Sequence, residues 1–154
     1  MILDAVRINY DQFVLTCDQL IAGTTIIFDD QIVKYSYLIK GRMEALDSST
    51  VTGTMWYAPC FEDWKARQVD LNTKRYIAVH EDSEMICILS KHDVQLELAD
   101  VKETYTLEPH TTAIVINGEF DVEGKIAKRF VKIKPRDYPI ELFGNGSLII
   151  QMGK

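Results

Sequence analysis

The chain has 154 residues, 47% of them hydrophobic and 26% charged, with a formal net charge of -6. That length can close a core of its own without a metal or disulfide staple, and it is one domain's worth of chain. The composition excludes a disordered acidic chain, a fibrous repeat, a large two-domain enzyme and a membrane-spanning helix, because no run approaches about 18 apolar residues.

Ile (17), Val (11) and Thr (11) supply 39 of the 154 residues, and Ile outnumbers Leu (12). β-Branched side chains fit a pleated sheet and lose rotamer freedom in a helix. A mainly-β chain is expected.

Residues 1–8 alternate weakly and are expected to form a first strand. Asn9 followed by Gln12 is a capping-box pattern. Phe13, Cys17 and Leu20 share a face at helical spacing, and Gly23 can close the helix. This predicts a short N-terminal helix, although Phe13-Val14-Leu15 reads equally well as strand. From Thr24 the period changes. Residues 24–28 form a short run stopped by Asp29-Asp30. In residues 32–40, Val33, Tyr35, Tyr37 and Ile39 alternate with polar neighbours, the pattern of a half-buried strand. Residues 43–46 resume the pairing, Asp47-Ser48-Ser49 turns the chain, and 50–57 form another strand.

Residues 58–75 are the longest irregular stretch. They carry Pro59 and the apolar anchors Phe61, Trp64 and Val69, with one turn of helix conceivable at 62–67. Long connections carry function more often than tight ones do. Strands then follow at 76–80, 85–90, 94–99, 104–107, 112–117, 120–123, 126–134, 139–143 and 147–151. Within 126–134 the apolar phase shifts, which suggests a bulge. Asn117-Gly118 and Gly144-Asn145-Gly146 read as turns. Ten to twelve strands at a spacing of roughly 8–12 residues are the pattern of a single-domain β-sandwich or barrel spanning 1–154.

Residues 94–150 resemble a cupin-type jelly roll. The strand 113–117 followed by Gly118-Glu119, a second strand and Gly124 is similar to that family's hairpin. Residues 130–140, with Pro135-Arg136-Asp137, resemble the element before its last strands, where the family usually has Pro-Gly-Asp; here Arg136 replaces the Gly. The resemblance implies a jelly roll, and in many members a metal held by two closely spaced His, a Glu and a third His. That set is missing. His110 is followed by Thr111-Thr112, and residues 130–150 contain no His.

Three histidines are present. His110 lies where the cupin-like pattern places a residue at the mouth, so it is the tentative catalytic candidate, as a general base titrating near neutral pH. The plainer reading is a polar turn residue. His92 sits in Lys91-His92-Asp93 and is a candidate ligand or interface residue. His80, Asp82 and Glu84, in the densest local cluster of such residues, would share one face of an extended strand, where a divalent metal site is conceivable; the plainer reading is a solvated hairpin turn. Trp56, Tyr57, Phe61 and Trp64 gather near residue 60. They are candidates for a ligand pocket or an interface, or a minor core that pins the long segment.

Cys17, Cys60 and Cys87 are odd in number, widely spaced and without a CxxC, which suggests free thiols in a reducing compartment. With no visible signal peptide, a cytoplasmic or intracellular location is expected. No nucleophile elbow, Walker A loop or dinucleotide fingerprint occurs. Six cations, Lys125, Lys128, Arg129, Lys132, Lys134 and Arg136, lie within twelve positions. They read most simply as the polar face of strands with Lys guarding an edge, and alternatively as a phosphate-contacting patch. The negative net charge argues against a general nucleic-acid binder.

The residues therefore favour a non-catalytic structural or binding module that assembles with itself or with a larger protein complex. No cofactor is implied, and no membrane contact. The alternative is a small cupin-like enzyme, either metal-dependent or a metal-free isomerase acting on a small polar or sugar substrate.

Overall fold

The computed structural model describes residues 2–28, 32–47, 53–64 and 75–152. Every regular element among them is an antiparallel strand, as the β-branched composition predicts. The chain divides into two compact units, Met1–Val94 and Gln95–Lys154.

The first unit holds β1 (Ile2–Asn9), β2 (Val14–Leu20), β3 (Thr25–Phe28), β4 (Val33–Lys40), β5 (Arg42–Asp47), β6 (Gly53–Tyr57), β7 (Cys60–Asp63), β8 (Arg75–Val79) and β9 (Ser83–Leu89). They form a five-stranded sheet in the order β1-β2-β9-β4-β7 and a four-stranded sheet in the order β3-β8-β5-β6. One core takes side chains from both sheets: Leu20, Leu38, Met85 and Cys87 from the first, Met43, Trp56, Ile77 and Val79 from the second, with Trp64 just beyond β7. Central strands β4 and β9 are buried on both faces. That is why Met85-Ile86-Cys87-Ile88 is a continuous apolar run instead of an alternating one.

The expected N-terminal helix is not present. Residues 14–20 are β2, paired with β1 on one side and β9 on the other. Leu15, Cys17 and Leu20 are buried with half-buried or exposed residues between them. Asn9 and Gln12 can cap a helix only if residues 13–20 gain more from local bonds than from two ladders of sheet pairing. With Val14 and Thr16 in the segment, the sheet wins.

Of the segment 58–75, Cys60–Asp63 forms edge strand β7, paired with Tyr35–Leu38 of β4. A cis Ala58–Pro59 bond separates it from β6. Glu62 and Asp63 of the conceivable helical turn are therefore strand, while residues 65–67 of it and Val69 lie outside the described residues, as do Asp29-Asp30 and Ser48-Ser49.

The second unit holds β10 (Leu96–Val101), β11 (Thr104–Leu107), β12 (Thr111–Val122), β13 (Lys125–Ala127), β14 (Lys132–Ile133) and β15 (Ile140–Met152). The order is β10-β15-β12-β13, with β11 also pairing β15 and β14 also pairing β12. Its core is aliphatic, with Phe120 as its one fully buried aromatic: Val101, Leu107, Val115, Ile133, Ile140, Leu142, Leu148 and Ile150 surround that ring.

Two expected turns are strand interior. Asn117-Gly118 lies within β12, and Gly144-Asn145-Gly146 lies within β15, where Gly118 faces Gly146 across the ladder. The register shifts between Val115 and Asn117. A Cβ at Gly118 would overlap the carbonyl oxygen of Asn145, and one at Gly146 the carbonyl oxygen of Asn117. These glycines mark a close approach of two long strands at a bulge, not chain reversals. The single run expected at 126–134 is two short strands. Between them Phe130 takes a left-handed conformation, φ 71°, so the phase shift is a break in the edge.

Candidate functional site

Inside the first unit, buried side chains from both sheets pack against one another. The Trp56 and Trp64 rings meet edge-on, with centroids 5.2 Å apart and an interplanar angle of 67°. Trp64 Nε1 donates to Ser36 Oγ at 2.8 Å, which anchors the indole at the end of β7. Met43, Ile77 and Met85 close around the pair. Trp56 and Trp64, read as possible anchors for a ligand or interface, are therefore core. Phe61 is half-buried and stacks on Tyr35, with centroids 5.5 Å apart. Of the four aromatics only Tyr57 is largely exposed, at 63%.

The three histidines are dispersed. His80 is exposed beyond β8, and its Nε2 lies 3.0 Å from Glu44 Oε1 on β5. Asp82 instead accepts from the backbone N–H of Ala22, and Glu84 accepts from Gln19 Nε2 at 2.8 Å. The proposed cluster of His80, Asp82 and Glu84 does not assemble, because only Glu84 lies in strand while His80 and Asp82 belong to the turn before it. Among the described residues no three His, Cys, Asp or Glu side chains converge as a metal-binding set. Cys17, Cys60 and Cys87 are free thiols. Cys87 is buried, and that burial, reinforced by the charge of Asp18, pushes its thiol far up, which disfavours the thiolate form.

His110 occupies the turn before β12 with φ 63°, and its N–H donates to the carbonyl of Arg136 at 2.7 Å. Its ring is exposed, and among the described residues no carboxylate hydrogen-bonds it. The same holds for His92. A general base of the His type is normally oriented by such a partner.

His92 does face a concavity. A groove of ≈ 380 Å³ is lined by residues of two stretches far apart in sequence, Arg7 to Val14 and Leu89 to His92, with Ile32. The pairing of Val14 with Leu89 brings them together. Buried Ser90 pins the turn: its hydroxyl donates to the Gln12 carbonyl at 3.0 Å and accepts the His92 N–H at 3.1 Å. Tyr10 packs on Phe13 at 5.2 Å, and burial raises its phenol, which stays a hydrogen-bond donor at neutral pH. Arg7, Lys91 and His92 offer further donors over an apolar floor of Phe13, Val14 and Leu89. Such a groove, which the Asp11 carboxylate also lines, offers polar groups over an apolar floor and suits binding. Tyr10 and Arg7 were not legible as site residues, since Tyr10 sits in the capping-box pattern and nothing local signals contact with residue 92.

No family model matches the chain, and no curated protein matches it. Solved structures do. A cupin 2 conserved barrel domain protein from Leptotrichia buccalis superposes with a TM-score of 0.60 at 15% identity, covering 98% of this chain and 88% of its own. A conserved protein of unknown function from Pseudomonas aeruginosa gives a TM-score of 0.65 at 7% identity, covering 97% and 89%. The fold is a cupin-like jelly roll. The bacterial pirin YhhW from Escherichia coli, solved in complex with nickel(II), gives 0.61 at 12% identity, covering 92% and 82%. The resemblance read on residues 94–150 thus extends, as fold, over nearly the whole chain. At these identities the likeness shows the fold alone, and one fold hosts many functions. The nickel belongs to the pirin; the described side chains of this cupin-like chain do not make a site that fits such an ion.

Proposed function

We propose that this protein is a non-catalytic binding module that assembles with itself or within a larger protein complex. The observation that carries this reading is the core of the first unit, where the aromatic candidates Trp56 and Trp64 are buried with Met43 and Met85 between the two sheets and are not offered to a ligand. Among the described residues, the concavity that His92 lines is an open groove at the surface. Contacts with partners then fall to the surface. Tyr57 on β6 and Ile27 on β3 are both more than half exposed, each on an outer strand of the four-stranded sheet. Outer strands with exposed apolar side chains are usual sites of association.

Sedimentation velocity of the full chain over a wide concentration range tests this. The expected result is self-association that Tyr57→Glu weakens. A chain that stays monomeric at every concentration, and that turns over a small polar or sugar substrate in a His110- or His92-dependent way, would overturn it.

A further inference from the structure

The second unit carries a groove that the assembly reading does not use. It measures ≈ 440 Å³ and lies along the outer edge of β12, where β13 and β14 pair with it in short pieces. Lys125, Lys132, Lys134 and Arg136 line it, over Ala127, Ile133 and Ile140. Glu123 is the only acid in the lining. Residues 125–136 hold six of the chain's 17 Lys and Arg and not one of its 23 acids.

We propose that this groove binds a free small organic anion with an apolar body, its carboxylate, sulfonate or phosphate head lying among Lys125, Lys132, Lys134 and Arg136.

Edge protection accounts for lysines on β13 and β14 and for the broken edge itself. It does not account for Ile126 and Val131, which are 56% and 43% exposed in the same groove. An edge built only to repel partners would carry polar residues there. Nor does protection call for a concavity, and this one is lined by four cations against the single acid Glu123, an excess of positive charge that an anion complements. Cationic groups beside exposed apolar ones are complementary to an amphiphilic anion, and the groove's volume lies in the range of roughly 300–1,000 Å³ usual for small-ligand sites.

The walls are held in place. The His110 N–H donates to the Arg136 carbonyl, and the Arg136 side chain lies 3.8 Å from Glu123 Oε1. The break between β13 and β14 is fixed by reciprocal backbone bonds of Val115 with Phe130 and Val131, and by Arg129 Nε donating to the Ile116 carbonyl at 3.0 Å. A second copy of the chain is a poor occupant. The commonest closed dimer is isologous, and it would set these cations against themselves.

The test uses the full chain with anilinonaphthalene sulfonate, an amphiphilic anion whose fluorescence reports binding, together with amide NMR shifts. Expected are saturation at one site per chain, shifts centred on residues 122–140, and weakening by added salt. Lys125→Glu with Lys134→Glu should reduce affinity about tenfold or more, and Ile126→Ser several-fold, since these exposed positions leave the fold intact by circular dichroism. Inorganic phosphate, which lacks the apolar body, should bind far more weakly. Failure to saturate, shifts centred on residues 7–14 and 89–92, or an affinity unchanged in both variants would overturn the proposal. So would binding to phosphatidylserine vesicles without binding of the free anion. The monomer–oligomer outcome above leaves this result unaffected.

Discussion

Residues 1–94 and 95–154 build antiparallel sheet from different materials. The first unit fills its interior with two indoles, two thioethers and a thiol, shared between two sheets. The second relies on aliphatic side chains against two long strands, β12 and β15, that touch backbone to backbone at Gly118 and Gly146. The charge differs too: nine Lys and Arg face fourteen acids in 1–94, while 95–154 is nearly balanced, with eight against nine. Yet six of those eight are gathered at 125–136. Near-neutral composition over a segment can therefore conceal a local concentration of one charge.

The largest expected effect breaks the aromatic half of this contrast. Trp64→Ala should cost about 3–5 kcal/mol, as deletion of a fully buried ring leaves a cavity and an abandoned Ser36 hydroxyl. Denaturant melts with near-ultraviolet circular dichroism would show it. Next, Gly146→Ala should cost about 3 kcal/mol in the second unit, because its methyl meets the Asn117 carbonyl rather than a flexible side chain. A cost as small as that of an ordinary strand glycine would mean that the two strands can separate there.

A smaller effect concerns Asp18 on β2. Burial raises its carboxyl above the ordinary value. The folded state then holds the proton more tightly than the unfolded one. Its contribution is most favourable below the ordinary carboxylate range and is lost as pH rises through the raised value. Asp18→Asn should therefore raise the melting temperature at neutral pH, with the gain shrinking toward acid. Equal gains at both ends of the titration would refute the burial penalty. Smallest of all, Tyr57→Ser should change monomer stability by less than about 0.5 kcal/mol by thermal melting, since its ring is mostly in solvent.

Much of the strand content was legible, but the reading of Gly and of the N-terminus was not. Asn117-Gly118 has the composition of a hairpin turn and serves as the bend of a continuous strand. That use depends on Gly146, 28 positions away, being its neighbour. Asn9 to Gln12 carries a helix-start pattern that lost to pairing with β9, across some seventy residues of sequence. The aromatics at 56–64 were visible as a cluster, but their burial was not. Trp56 faces inward and Tyr57 outward because successive strand side chains alternate, and only the position of the second sheet says which face is the core. His92 was singled out as one residue of a turn; its groove partners Tyr10 and Arg7 arrive through the same long-range pairing.

By itself the sequence determined the β class, through its β-branched excess, and the absence of a His-rich metal pattern, through simple scarcity. It also placed six cations in one short segment. The tertiary structure decided which apolar faces were core, which glycines were close approaches, and that four of the six cations of 125–136 line a groove with exposed Ile126 and Val131. The physical reason is the same in each case. Local propensity and composition act over a few residues, whereas sheet pairing, close packing and the shape of a groove are set by residues tens of positions apart.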